Sequence, residues 1–201
     1  MIKFVEVLIV STLLFIFLLI SDKIKQKKMG AFALNIVLIG MPSSGKSSAG
    51  RLLAQKNAME FIDTDSIIRE KAKKPLNEIV SRDGLQKFLE IQNEVLKSIN
   101  TSGCVISTGG SCVYNEEGMK HLKKNGKIIY LKVQYDELKK RIDFGRRFAR
   151  KDSQSLADVF NERAPLYELY SDYTIDCSGK TVEEIAEEIN LLIKETGLEG
   201  K

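Results

Sequence analysis

A chain of 201 residues, 43% hydrophobic, has room for one packed domain of about 170 residues and a short separate N-terminal piece. Its net charge of +4 is small, and Lys and Arg are interleaved with Asp and Glu through most of the sequence, so the charges read as solvated helix faces and no nucleic-acid partner is expected. The single histidine, His121, falls in a Lys-rich helix expected to be exposed, which argues against multi-histidine metal sites and imidazole acid–base chemistry. Cys104, Cys112 and Cys177 lack C-x-x-C spacing and read as reduced, buried thiols of a cytosolic protein.

Residues 1–28 differ from all that follows. Val7 to Ile20 is a run of 14 residues without a charge. That is short of the roughly 17–25 a spanning helix needs, and no small-x-small cleavage signature follows it. Lys23, Lys25, Lys27 and Lys28 come next, on the side that faces the cytoplasm by the positive-inside rule. Three readings stand: a marginal membrane anchor through residues 4–20, an over-extended start with Met29 as the true first residue, or a soluble packing helix. The compact domain is expected over residues 33–196.

That domain opens with Ile36-Val37-Leu38-Ile39, an apolar run suited to a central parallel strand covered on both faces. It leads into Gly40-Met41-Pro42-Ser43-Ser44-Gly45-Lys46-Ser47, a full match to G-x-x-x-x-G-K-[ST]. The glycines let the backbone turn with its N–H groups inward, and the helix that follows adds its positive dipole end. Lys46 would reach the β- and γ-phosphates of ATP, and the Ser47 hydroxyl would complete the coordination of Mg2+. Gly40, Ser43, Ser44, Gly45, Lys46, Ser47 and Ser48 form the candidate nucleotide site; the bland alternative is a Gly/Ser turn between a strand and a helix.

A helix over 47–56 precedes a short strand, Phe61-Ile62, that ends in Asp63-Thr64-Asp65. Two carboxylates two residues apart at the C-terminal end of a strand point into the crevice where open α/β sheets bind ligands. The structural alternative is that Asp65 caps the helix over 66–72. Residues 75–99 read as a long helical stretch broken at Asp83-Gly84. The strand over 104–107 ends in Thr108-Gly109-Gly110-Ser111, where paired glycines either let a ligand approach the backbone or make a plain turn. Asn115 is expected to cap a helix through Lys124, Asn125-Gly126 to turn the chain, residues 128–133 to form a fourth strand and 136–142 a short helix.

Residues 143–155 carry Arg146, Arg147, Arg150 and Lys151 and read as a loop able to close over phosphates, or as a solvated charged loop. A helix over 156–170 carries Arg163-Ala164-Pro165-Leu166-Tyr167. Residues 174–177 make the last strand, and Thr181 with Glu184 forms a capping box for a closing helix. Five strand signals alternating with helices imply an α/β fold, a parallel five-stranded sheet covered by helices.

In order along the chain, GMPSSGKSS, FIDTDSII, the helix from Asp83-Gly84 to Phe88, ISTGGS, the Arg-rich loop and ERAPLY resemble the shikimate kinase family over residues 35–192. The resemblance implies a three-layer αβα P-loop NTPase-type fold with a lid loop. It also implies use of ATP and Mg2+, and transfer of the γ-phosphoryl group to a ring hydroxyl of shikimate to give 3-phosphoshikimate. By matching position it implies that Ser47 and Asp63 serve the metal and that Asp65 orients the substrate hydroxyl. Gly109, Gly110 and Ser111 would line the acceptor, Arg163 would hold its carboxylate, and Arg146 or Arg147 would touch the transferring phosphate.

Three positions depart from the family pattern: Leu89 stands where an Arg is usual, Gln92 where a Glu is usual and Ser111 where a third glycine is usual. One charge-assisted contact to a carboxylate is worth on the order of 1.5–3 kcal/mol, about ten- to a hundredfold in affinity. A different small hydroxylated metabolite is therefore the alternative acceptor. The alternative of another class is a membrane-tethered nucleotide-binding protein without turnover. A monomer in the cytoplasm is expected.

Overall fold

The structure is a computed structural model that describes residues 34–142, 149–150 and 153–197, so the expectations for residues 1–28 and for Arg146, Arg147 and Lys151 lie outside the described residues. Strands β1 (Asn35–Ile39), β2 (Glu60–Asp63), β3 (Cys104–Ser107), β4 (Gly126–Lys132) and β5 (Tyr173–Asp176) form one sheet in the order β2-β3-β1-β4-β5. Every neighbouring pair is parallel. Each crossover carries at least one helix, namely α1 (Lys46–Asn57), α2 (Thr64–Ala72), α3 (Leu76–Glu78), α4 (Leu85–Ser98), α5 (Glu116–Asn125), α6 (Tyr135–Arg141) and α7 (Leu156–Tyr170), and α8 (Val182–Glu195) follows β5. β1 is buried along its whole length because β3 and β4 flank it within the helix-covered sheet, which is why its sequence is continuously apolar.

The main core joins Ile36, Leu38, Val105, Ile129 and Leu131 of the sheet to Leu53 of α1 and Ile185 and Ile189 of α8. Each such side chain contributes roughly 1.5–3 kcal/mol on burial. A smaller cluster of Ile68, Ile79, Phe88 and Val95 fastens α2, the segment after α3, and α4 to one another beside the site.

Several local expectations change. α2 begins at Thr64, and its N-cap is Asp63, whose carboxylate accepts from the Asp65 N–H at 3.0 Å. Asp65 lies inside the helix and so does not cap it, because a cap needs the extended backbone that Asp63 has. The long stretch after Pro75 breaks at Gly84 (φ 91) as expected, but α3 passes first into a π-helical turn over Ile79–Asp83. Asn125-Gly126 makes no turn, since α5 runs directly into β4. Gly126 is instead a point of close approach, where a Cβ would sit 2.6 Å from the Asn35 carbonyl oxygen.

Asn115 occupies the N-cap position of α5, but its side chain donates to Gln92 Oε1 at 3.0 Å rather than capping. His121 is half-buried, with its Nε2 2.8 Å from the Ile99 carbonyl oxygen. The Thr181–Glu184 capping box forms as expected, and a second one, Ser155 with Asp158, opens α7. Among the described residues, no helix is long and apolar enough to cross a membrane.

Candidate active site

Because the strands run parallel, the loops that follow β1, β2 and β3 emerge at one edge of the sheet. They surround a cavity of about 790 Å³ that Lys46, Ser47, Ser48, Asp65, Gly109 and Arg163 help to line. Residues far apart in sequence thus meet at the carboxyl ends of neighbouring strands.

The loop after β1 has positive φ at Gly40 (144), Ser43 (65) and Gly45 (94). This alternation of hand makes the concave array of N–H groups that binds anions. At Gly40 a side chain is also excluded by sterics, since a Cβ would lie 2.7 Å from the Leu131 carbonyl oxygen. Lys46 is buried, and its ammonium donates to the carbonyl oxygens of Gly40 (2.9 Å) and Met41 (2.7 Å) and to Ser44 Oγ (3.3 Å). The loop's own carbonyls therefore hold the cation at the N-terminus of α1, where the helix dipole favours an anion.

Ser47 Oγ lies 3.1 Å from Ser107 Oγ at the end of β3. Asp63 is the register partner of Ser107 on the adjacent strand, and its carboxylate also lies 4.0 Å from Arg51. Among the described residues, no group of three or more His, Cys, Asp or Glu gathers. Asp63 does not line the cavity with Ser47 but a separate groove with Arg51 and Phe61, so of the two residues expected at the metal only Ser47 faces the cavity; so sparse a set suits Mg2+, which keeps several waters and shares substrate phosphates, better than an ion that needs an all-protein cage. In the sequence Ser107 is marked only as the end of a strand.

On the acceptor side, Gly109 donates its N–H to Thr64 Oγ1 at 3.2 Å. A Cβ on Gly109 would stand 2.4 Å from Asp65 Oδ1 and 2.8 Å from Gln92 Nε2, and one on Gly110 would stand 2.8 Å from Pro42 Cδ. The two glycines thus bring the Asp65 carboxylate and the phosphate loop into contact with the same short segment. The Tyr167 hydroxyl donates to the Gly110 carbonyl oxygen, which ties α7 to that segment. Ser111 Oγ donates to Gln92 Oε1 at 3.0 Å.

Arg163, one turn before Tyr167, is 1% exposed. Its Nε donates to the Tyr114 hydroxyl at 3.1 Å, its Nη2 donates to the Ala149 carbonyl oxygen, and its guanidinium carbon lies 5.0 Å from the Tyr114 ring centroid. These contacts fix the planar fork at the cavity wall. Burial pushes the Tyr114 and Tyr167 phenols up, so both stay neutral around Arg163.

Leu89 packs into the small cluster with Leu76, Val80 and Phe88, which line an apolar wall of the cavity. Arg141 and Arg150 also line the cavity, and Arg150 donates to the Gln154 carbonyl oxygen at 2.7 Å. Arg141 and Tyr114 carried no signal that would single them out in one sequence, and Tyr167 stood only as the last residue of ERAPLY. Burial pushes the Cys112 thiol up to about 11 and the Cys177 thiol up to about 12, so neither offers a thiolate at neutral pH.

The shikimate kinase family model matches residues 42–194. A shikimate kinase of Thermodesulfovibrio yellowstonii is 37% identical over 160 residues, covering 77% of this chain and 92% of the relative. One from a Sulfurihydrogenibium species is 34% identical, covering 80% and 98%. Among solved structures, the shikimate kinase of Acinetobacter baumannii in complex with shikimate superposes with a TM-score of 0.75 at 27% identity, covering 83% of this chain and 96% of that one. The Aquifex aeolicus shikimate kinase gives 0.69 at 28% identity, covering 83% and 100%. A thymidylate kinase of Candida albicans, 13% identical with a TM-score of 0.59, shares the fold alone. With the family model spanning most of the chain and relatives matched over nearly their whole length, the chain belongs to the shikimate kinase family.

Proposed function

We propose that this chain transfers the γ-phosphoryl group of ATP to a ring hydroxyl of shikimate, giving 3-phosphoshikimate and ADP. The observation that carries the reading is the meeting of a complete phosphate loop with Asp65, Gly109 and Arg163 around one cavity in a chain of this family. Phosphoryl transfer through a loose transition state needs alignment and charge neutralisation more than covalent help. Lys46 would leave the loop carbonyls for the β- and γ-phosphates. Asp65 accepts or orients the proton of the attacking hydroxyl, whose oxygen bonds to phosphorus as the bond to the β–γ bridging oxygen breaks. Arg163 holds the acceptor's carboxylate, and Gly109, Gly110 and Ser111 line its ring.

Ser47 and Asp63 would hold Mg2+, which supplies charge neutralisation along the phosphates when bound. Arg146 or Arg147 would meet the transferring phosphate; support comes from Arg141, Ala149 and Arg150, which flank them in the chain and line the cavity. We read the protein as a cytoplasmic monomer, with membrane contact open only through residues 4–20. The alternative acceptor suggested by Leu89, Gln92 and Ser111, a different small hydroxylated metabolite, has no support from the relatives, all of which are shikimate kinases. ADP release measured across candidate acceptors decides between them: turnover confined to shikimate supports the first reading, and turnover confined to another alcohol rejects it.

A further inference from the structure

Gln92 is fully buried in α4, and its Nε2 has no hydrogen-bond acceptor among the described residues. Buried amide donors are rarely left unused, so this one calls for a physical account. Its Oε1 is occupied twice, by Ser111 Oγ and by Asn115 Nδ2, each at 3.0 Å. The other end of the amide stands across the Gly109 Cα from Asp65: Nε2 and Asp65 Oδ1 lie 2.8 and 2.4 Å from the same point, where Gly109 has no Cβ. Reversing the amide would set a carbonyl oxygen against a carboxylate, so the N–H end belongs on the Asp65 side.

We propose that Gln92 is a positioning residue that aims the Asp65 carboxylate at the acceptor hydroxyl by offering it a side-chain N–H. This rests on the role given to Asp65 above. It also makes one unit of three positions that look independent in the sequence. Leu89, one turn earlier on α4, is apolar and offers no charge to pair with, so a glutamate at position 92 would be a buried carboxylate facing a second carboxylate. Glutamine removes that charge, and Ser111 supplies the hydroxyl donor that fixes the amide's orientation.

Two measurements on the full chain test the proposal. In the nitrogen–proton spectrum of the ligand-free protein, the Gln92 side-chain N–H pair is expected to move when Asp65 is replaced (Asp65→Asn); a pair that stays in place overturns the proposal. In steady-state assays, Gln92→Leu is expected to lower kcat/KM for shikimate about ten- to a hundredfold with KM for ATP unchanged. In an Asp65→Asn background the same change should cost less than about twofold, because groups that act as a unit are not additive. If the two costs multiply, or if KM for ATP rises equally, Gln92 acts only on the fold and the proposal fails. Absence of shikimate turnover in the unsubstituted chain would refute the function proposed above, while the spectral arm would still decide the link between Gln92 and Asp65.

Discussion

Replacing Gly109 by alanine puts the acceptor half of the site under direct strain. The new Cβ would stand 2.4 Å from Asp65 Oδ1 and 2.8 Å from Gln92 Nε2, so the carboxylate must retreat by about 1 Å to reach ordinary contact at 3.4 Å. The Gln92 amide is held by Ser111 and Asn115, so the Asp65 carboxylate, the end of a side chain that can rotate away, takes most of the displacement, and the loss of stability should stay on the order of 1 kcal/mol. Catalysis is less forgiving, because a misplacement of about 1 Å costs on the order of a hundredfold in rate. We expect Gly109→Ala to melt within a few degrees of the parent, to keep its KM for ATP, and to lose about a hundredfold in kcat/KM for shikimate. A coupled ADP-release assay with each substrate varied in turn, alongside thermal unfolding, measures all three. A variant within twofold of the parent would refute the placement of Asp65 against Gly109 as a catalytic requirement.

Arg163→Lys keeps a positive charge but loses the planar fork and the Nε donor to Tyr114, and should raise KM for shikimate about ten- to a hundredfold with KM for ATP unchanged. An unaltered shikimate KM would remove Arg163 from the carboxylate contact. The three buried cysteines should resist a thiol reagent at pH 8 in the native protein and all react once it is unfolded, since burial raises Cys104, Cys112 and Cys177. Rapid native labelling would contradict their placement. Asp158 and Glu184 accept capping hydrogen bonds from Ser155 and Thr181, which hold both carboxyls below their usual values of 3.8 and 4.5. Their stabilising effect is present above those values and fades as pH falls through the lower folded ones, so the unfolding temperature should drop below about pH 4. The drop should shrink in part when Ser155 and Thr181 are both replaced by alanine, since the backbone N–H donors remain; an identical profile would show the two hydroxyls to contribute nothing.

The fold was legible because its strongest signals are physical necessities: a continuous apolar run for a doubly covered strand, and a glycine-framed loop for an anion. β1 with its loop, the break at Gly84 and the Thr181 capping box followed from local rules alone. Asp63 and Asp65 were found as a pair, but the capping residue of α2 was misassigned to Asp65. Which carboxylate caps α2 depends on where the backbone turns helical, a boundary that period and propensity fix only to within a few residues. Gly126 looked like half of a turn because Asn-Gly usually is one; the need for close approach to Asn35 is a tertiary fact. The same holds for Tyr114, whose hydroxyl serves Arg163 from an element with no motif to mark it, and for the bond from Tyr167 to Gly110, which ERAPLY contains one end of but does not announce. The link from Ser111 to Gln92 crosses from a loop to a helix 19 residues earlier, so single-position reading saw two departures where the structure has one hydrogen bond.

If the loop over Gly40–Ser47 and the acceptor wall at Asp65, Gly109 and Arg163 act together on two substrates, phosphorus NMR of the purified chain with ATP, Mg2+ and shikimate will show it. The γ-phosphate signal is expected to be replaced by a phosphomonoester of shikimate in step with ADP formation, and Lys46→Ala to abolish both. ADP appearing with inorganic phosphate alone, or equal turnover without shikimate, would contradict it.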